Sequence, residues 1–265
     1  MGVPDDTRVM PGSTRNMLIL LSNDDGIDAA GLRALEAAMA DLGEVWTVAP
    51  ATEQSAKSHS LTMHEPLRVA EHGPRRFSVS GTPADSVYLA AHHLLPRKPD
   101  LVVSGINRGS NLSNDVMYSG TVAAAREAAS FDIPSVAVSL WVTGPSPHWD
   151  TAQRVAREIV QQTVQRGLPP GVLLNINVPD RAYDQLAGVR IAPLGRRWYH
   201  PTVAVNTDPR GRKYYWIGGD HDRFADLPDS DGPLCEAGFA IVTPLHMDLT
   251  AHEMLPVLRG WKLES

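Results

Sequence analysis

The chain has 265 residues, 43% of them apolar, and carries 30 acidic against 24 basic side chains for a formal net charge of −6. That length holds one large α/β domain or two small ones, and the acidic balance argues against a nucleic-acid partner, which would need clustered Lys and Arg. Cys235 is the only cysteine, so neither an intrachain disulfide nor a Cys-built zinc site can form, and no window reaches the roughly 18 apolar residues of a membrane span; a reducing cytoplasm is the expected compartment.

Residues 1–16, "MGVPDDTRVMPGSTRN", mix Pro, Gly, Ser and charge and are expected to be a disordered tail; residues 17–265 are read as a single α/β domain. "LILLS" reads as a strand covered on both faces, the kind found in a parallel sheet between helices. In "AAGLRALEAAMADLG", Leu32, Leu35, Ala38, Met39 and Leu42 fall at helical spacing, and Gly43 is the expected C-terminal cap. "EVWTVAP" is a second strand, which makes a strand–helix–strand unit with a right-handed crossover. Residues 61–80 alternate and predict a hairpin excursion turning near Gly73-Pro74. "GTPADSVYLAAHHLL" predicts a helix capped by Thr82 with Pro83 in its first turn. "DLVVSG" is a further buried strand, "SGTVAAAREAASF" a helix opened by Ser119, and "IPSVAVSL" another strand. A helix follows with Val155, Ala156, Ile159, Val160 and Val164 on one face, and "GVLLNINVP" closes the α/β pattern at about residue 185. From about 186 the texture turns to Trp, Tyr, Gly and Pro in short strands such as "RKYYWIGG" and "GFAIVTPL", a β-rich extension read as an oligomer arm. "LTAHEMLPVLRGW" ends the chain as a short amphipathic helix.

The chemistry concentrates where strands of this sheet should end. Asp24 and Asp25 follow the first strand, at the edge where open α/β sheets bind ligands. Two carboxylates about 4 Å apart repel by roughly 4 kcal/mol at an effective dielectric near 20, and a divalent cation offsets that best. Taken alone, the pair is more often an Asx-type turn with its carboxylates splayed into water. Two further loops change the balance. "PATEQSAKSHSLT" offers Ser55, Lys57, Ser58 and Ser60, and "SGINRGSNLSNDVMYSGT" offers Asn107, Asn111, Ser119 and Thr121. Each has a duller reading as a turn or cap residue, but together they supply neutral oxygens for a hard metal, and Ser119-Gly120-Thr121 at a helix N-terminus supplies an anion cradle. A metal beside an anion site points to phosphate chemistry. Competing motifs are poor: there is no Gly-x-Gly-x-x-Gly or Gly-Lys-Ser/Thr loop and no helical His-x-x-x-His, and Asp220, His221 and Asp222 read as a solvated Gly-rich turn. The aromatics Trp198, Tyr199, Tyr214, Tyr215 and Trp216 are expected in a core or interface rather than against a base.

The strings "ILLSNDDGIDAAGL", "SGINRGSN", "YSGTVAAAREA" and "VTPLHMDLTAHEMLP", in order and spread over residues 17–261, resemble the SurE (stationary-phase survival) family of nucleoside monophosphate phosphatases. The resemblance implies a Rossmann-like three-layer sandwich with a mostly parallel sheet, a homodimer or homotetramer exchanging C-terminal elements, and a metal-dependent 5′-nucleotidase with 3′-nucleotidase and exopolyphosphatase activity in some members. It places one divalent ion per subunit, Mg²⁺ or Mn²⁺, on Asp24, Asp25, Ser55 and Asn107, and substrate phosphate near Asn111, Ser119, Gly120 and Thr121. The loop "SAKSHS" departs from the family's commoner Gly-containing form, which makes Lys57 either a phosphate contact or a surface lysine. The expected mechanism is in-line attack of water on phosphorus, with an Asp as base, and an aspartyl-phosphate route in which one carboxylate attacks first stays open; the alternative function is a metal-dependent nucleotide sensor without turnover.

Overall fold

The structure is a computed structural model that describes residues 17–200, 202–218 and 221–261. The expected N-terminal tail and Asp220 lie outside the described residues.

Strand β1 (Leu18–Ser22) is buried along its whole length, and its residues divide between two cores. Ile19 and Leu21 join a cluster with Leu32, Leu35 and Met39 of helix α1 (Ala30–Met39) and Val155 and Val160 of α4 (Trp149–Arg166). Leu18 and Leu20 face the other way, toward Val87 of α2 (Pro83–Leu89) and Ala124 and Ala128 of α3 (Gly120–Ser130). A strand buried at every position must lie between two covering layers, because successive side chains point to opposite faces. That is the three-layer architecture expected.

Parallel pairing runs β4 (Arg76–Val79), β2 (Glu44–Pro50), β1, β5 (Leu101–Arg108), β6 (Ser135–Trp141), β7 (Val172–Pro179). The chain steps from β1 to β2 and β4 on one side, then crosses back to β5 and on through β6 and β7. The reversal falls between β1 and β5, where the following loops part and leave a crevice at the strands' carboxyl ends.

Several local details differ from the sequence reading. The predicted hairpin is no excursion: β3 (Val69–Gly73) and β4 form it with residues 74 and 75 in the turn, and β4 extends the main sheet beside β2. Helix α1 ends at Met39, before Gly43; a Cβ at Gly43 would stand 2.3 Å from the carbonyl oxygen of Met17, so that glycine permits a close backbone approach rather than capping. Strand β5 runs on past the predicted "DLVVSG" to Arg108, which puts Asn107 at a strand end rather than in a loop. Val164 is exposed on α4. The extension also returns to the sheet: β13 (Phe239–His246) pairs antiparallel with β7, and β8 (Gly188–Ile191) pairs parallel with β13, so that among the described residues nine strands share one sheet. The buried run "FAIV" is as much a core strand as an arm, and periodicity alone does not separate the two. What stays apart is a hairpin of β10 (Thr202–Thr207) and β11 (Lys213–Gly218), and a pair made by β9 (Arg197–Tyr199) and β12 (His221–Phe224). The predicted turn at His221 is thus strand. Short helices α5 (Asp231–Glu236) and α6 (Leu255–Arg259) flank β13 in sequence, α6 with its apolar side chains exposed.

Candidate active site

The turn after β1 is made by Asn23, whose Nδ2 donates to the carbonyl of Gly26 at 2.9 Å, with Gly26 at φ +99°. The turn is thus braced by the side-chain N–H of Asn23 rather than by the carboxylate of either aspartate. Asp24 is buried: Oδ1 accepts the Thr121 hydroxyl, and Gln54 N–H donates to its main-chain oxygen at 2.7 Å. Gly120, first residue of α3, lies so close that a Cβ there would sit 2.7 Å from Asp24 Cβ and 2.9 Å from Oδ2. The half-buried Asp25 accepts the backbone N–H of Arg108 on Oδ2 at 3.1 Å. Burial is the main cause that pushes the Asp24 carboxyl up to about 6; the Thr121 bond opposes it and the charge of Asp25 adds to it. Burial also raises Asp25, with the charge of Glu53 in the same sense and Arg108 against.

Both carboxylates line a cleft of about 770 Å³, together with Ser55, Asn107, Asn111 and Ser119. Ser55 is exposed, and its hydroxyl donates to Glu53 Oε1 at 2.8 Å. Its loop is tied back by Ser58, whose N–H and hydroxyl donate to the carbonyls of Tyr118 and Met117, and by His59, 2.6 Å from the buried Glu127 on α3. Lys57, Ser58 and Ser60 are not among the lining residues. Asn107 Nδ2 donates to Gly109 O at 2.9 Å, which leaves its Oδ1 for the cleft. Ser119 caps α3, its Oγ accepting from Val122 N–H at 3.0 Å, so its hydroxyl proton remains available. Gly120 and Thr121 do not line the cleft; they hold Asp24 from behind.

The sequence reading missed residues of two kinds. Glu53, Arg108, Asp115, Trp149, Tyr118 and Tyr199 also line the cleft; Tyr199, from the extension, donates its hydroxyl to Asp115 Oδ1 at 2.5 Å, while Arg197 pairs with Asp115 Oδ2 at 2.7 Å. Burial and the bond to Asp115 push the Tyr199 hydroxyl up to about 12. The second kind is a clamp on Asn111. Its N–H donates to Asn177 Oδ1 at 2.7 Å, its carbonyl accepts from Asn175 and Asn177, and its Nδ2 donates to Ser139 Oγ at 2.7 Å. Two asparagines two apart in a strand buried on both faces, "NIN", were the visible signal, since buried amides need partners. Asp231, fully buried, fixes the next turn by accepting the N–H and hydroxyl of Ser113; nothing local in the sequence marks it.

Among the described residues no three His, Cys, Asp or Glu side chains converge as a ready metal site, and no helix is long and apolar enough to cross a membrane. The cleft's donor set is two carboxylates with hydroxyl and amide oxygens, which suits a hard cation rather than zinc.

The family model described as "Survival protein SurE" matches residues 19–201. Similar proteins include the 5′-nucleotidase SurE of Anaeromyxobacter dehalogenans, 51% identical over 92% of this chain and 96% of its own, and that of Myxococcus xanthus, 48% identical over 96% of each. The crystal structure of the Sure protein from Aquifex aeolicus superposes with a TM-score of 0.81 at 36% identity, covering 92% of this chain and 99% of that one. The chain belongs to the SurE family.

Proposed function

We propose that this protein is a metal-dependent 5′-nucleotidase that hydrolyses nucleoside monophosphates to nucleoside and phosphate, with 3′-monophosphates and polyphosphate as further substrates. The observation that carries the reading is the Asp24–Asp25 pair at the carboxyl end of β1, one carboxylate seated on the first turn of α3. The names borne by the relatives support the same activity.

Asp24, Asp25, Ser55 and Asn107 would hold one divalent ion, Mg²⁺ or Mn²⁺. The fit rests on their oxygens and on a buried carboxylate held above its ordinary range beside a second one, an arrangement that a cation relieves. Such an ion supplies positive charge for the phosphoryl oxygens and makes water more acidic. The chain's own groups do the rest. Asn111 and Ser119 present donors to the phosphoryl group, and the N-terminal amides of α3 direct positive potential at it. Asp25, less buried than Asp24 and with one oxygen engaged by Arg108 N–H, is the base that accepts the proton of the attacking water. Trp149 and Tyr199 give the nucleoside end an apolar wall. Exposed Val203, Val205, Trp216 and Ile217 on the β10–β11 hairpin, together with α6, support a homodimer or homotetramer.

The test is phosphate release from a panel of nucleoside monophosphates with Mn²⁺ or Mg²⁺, for the wild type, Asp24→Asn and a chelator control. Release that needs metal and fails in the variant is expected. Metal-dependent nucleotide binding with no release would make the protein a sensor, and undiminished release in the variant would remove the chemistry from the Asp pair.

A further inference from the structure

The charge on the cleft walls is lopsided. Asp24, Asp25, Glu53 and Asp115 all line it, whereas the lining contains one cationic side chain, Arg108. Arg197 approaches from the extension but is committed to Asp115 at 2.7 Å, and Lys57 is not part of the lining. Arg108 is exposed and forms no ion pair within 4.0 Å among the described residues. Its position at the end of β5 is nevertheless fixed, because its own N–H is bonded to Asp25 Oδ2 at 3.1 Å. An arginine anchored by its backbone beside a carboxylate, yet not paired with it, keeps all its guanidinium donors for a ligand. A planar fork of N–H groups matches two oxygens of a phosphate.

Resting on the nucleotidase reading above, we propose that Arg108 is a substrate-binding residue whose guanidinium takes two oxygens of the phosphomonoester dianion. One divalent ion on Asp24 and Asp25 leaves Glu53 facing an incoming dianion uncompensated, and Arg108 supplies the missing positive charge from the protein itself. Arg108 thereby selects doubly charged monoesters and retains inorganic phosphate, the product.

The experiment uses the full chain with Mn²⁺ and compares wild type, Arg108→Ala and Arg108→Lys. Expected for Arg108→Ala is a rise of roughly tenfold to a hundredfold in both KM for nucleoside monophosphate and the inhibition constant of inorganic phosphate, the usual size of a lost charge-assisted contact. The melting temperature and the Mn²⁺ concentration for half-maximal rate should not move. Added guanidinium ion should restore part of the loss, and Arg108→Lys should fall between. Unchanged KM and phosphate inhibition in Arg108→Ala would overturn the proposal, as would a loss accompanied by a shifted Mn²⁺ requirement, which would mean action through Asp25. Calorimetric titration of phosphate into the Mn²⁺-loaded proteins keeps the two readings distinguishable. A wild type that binds phosphate more tightly than Arg108→Ala yet releases none from nucleotides would sink the nucleotidase reading and leave this one standing.

Discussion

Asp24 is held against its own solvation preference. Its carboxyl moves from an ordinary 3.8 to about 6, chiefly through burial. The unfolded chain therefore releases this proton before the folded one does. The group's contribution to stability is complete below pH about 4 and lost as pH rises through 6, a difference on the order of 3 kcal/mol. Asp24→Asn should accordingly melt higher than the wild type at pH 7.5 when both are metal-free, with the gap closing toward pH 5 in calorimetric scans, while nucleotide hydrolysis falls by at least about a hundredfold. A variant that melts lower at pH 7.5 would contradict the burial argument. Gly120→Ala makes the complementary prediction. A methyl placed 2.7 Å from Asp24 Cβ must displace that side chain, which should lower stability by about 1–3 kcal/mol. Displacing the carboxylate should also reduce kcat by about a hundredfold, and a crystal structure of the variant would show the shift. The pair Asp24–Asp25 was legible because local sequence alone puts it at a strand's carboxyl end. That Gly120 and Thr121 also brace the Asp24 side chain was not, because what a helix start touches depends on what the helix packs against.

At the level of elements, the N-terminal caps Thr82 and Ser119 were readable, the C-terminal cap at Gly43 was not, and neither were the clamps. Thr82 caps α2 as expected from "GTPAD", its Oγ1 accepting from Asp85 N–H at 3.1 Å, and Asp85 completes a reciprocal capping box, its Oδ2 accepting from Thr82 N–H at 2.8 Å. Thr82→Ala should cost about 1 kcal/mol in denaturant unfolding and leave hydrolysis at the wild-type rate, since neither residue lines the cleft. Asn177→Ala should behave differently. It removes both the acceptor for Asn111 N–H and one donor to Asn111 O. That exposes a buried loop to an unsatisfied-group cost of about 1–3 kcal/mol, and under the proposed role of Asn111 as a phosphate contact it should also raise KM, since Asn111 lines the cleft. Wild-type kinetics in a destabilised Asn177→Ala would show that the clamp only stabilises the fold. Capping is written within four residues and can be read directly. The Asn111 clamp joins β7 to the loop after β5, and β13 finds its partner strand only once the rest of the sheet exists.

For the whole molecule, strand order decides where chemistry happens. The reversal between β1 and β5 parts the two loops that follow these strands, and the candidate residues from both loops meet there. The fold class followed from alternating strands and helices; the sheet's far edge did not, because the extension contributes both sheet strands and a free hairpin from one composition. On that hairpin Ile217 is 92% exposed and Trp216 67%. Sedimentation should accordingly give a mass that is a multiple of the single chain's, and the double variant Trp216→Ser, Ile217→Lys should lower it. A monomeric wild type would refute the assembly.

The fastening of the Asn111 turn also bears on when the protein can begin to work. Asn111 is held by a residue 66 positions further on, and Ser113 by one 118 positions further on, near the end of the described chain. A ribosome that has delivered the Asp pair, Ser55 and Asn107 has therefore delivered the candidate site without the residues that fasten its Asn111 turn. Translation must pass Asp231 before the turn can lock, so nascent chains and products cut short upstream of it should be silent toward nucleotides.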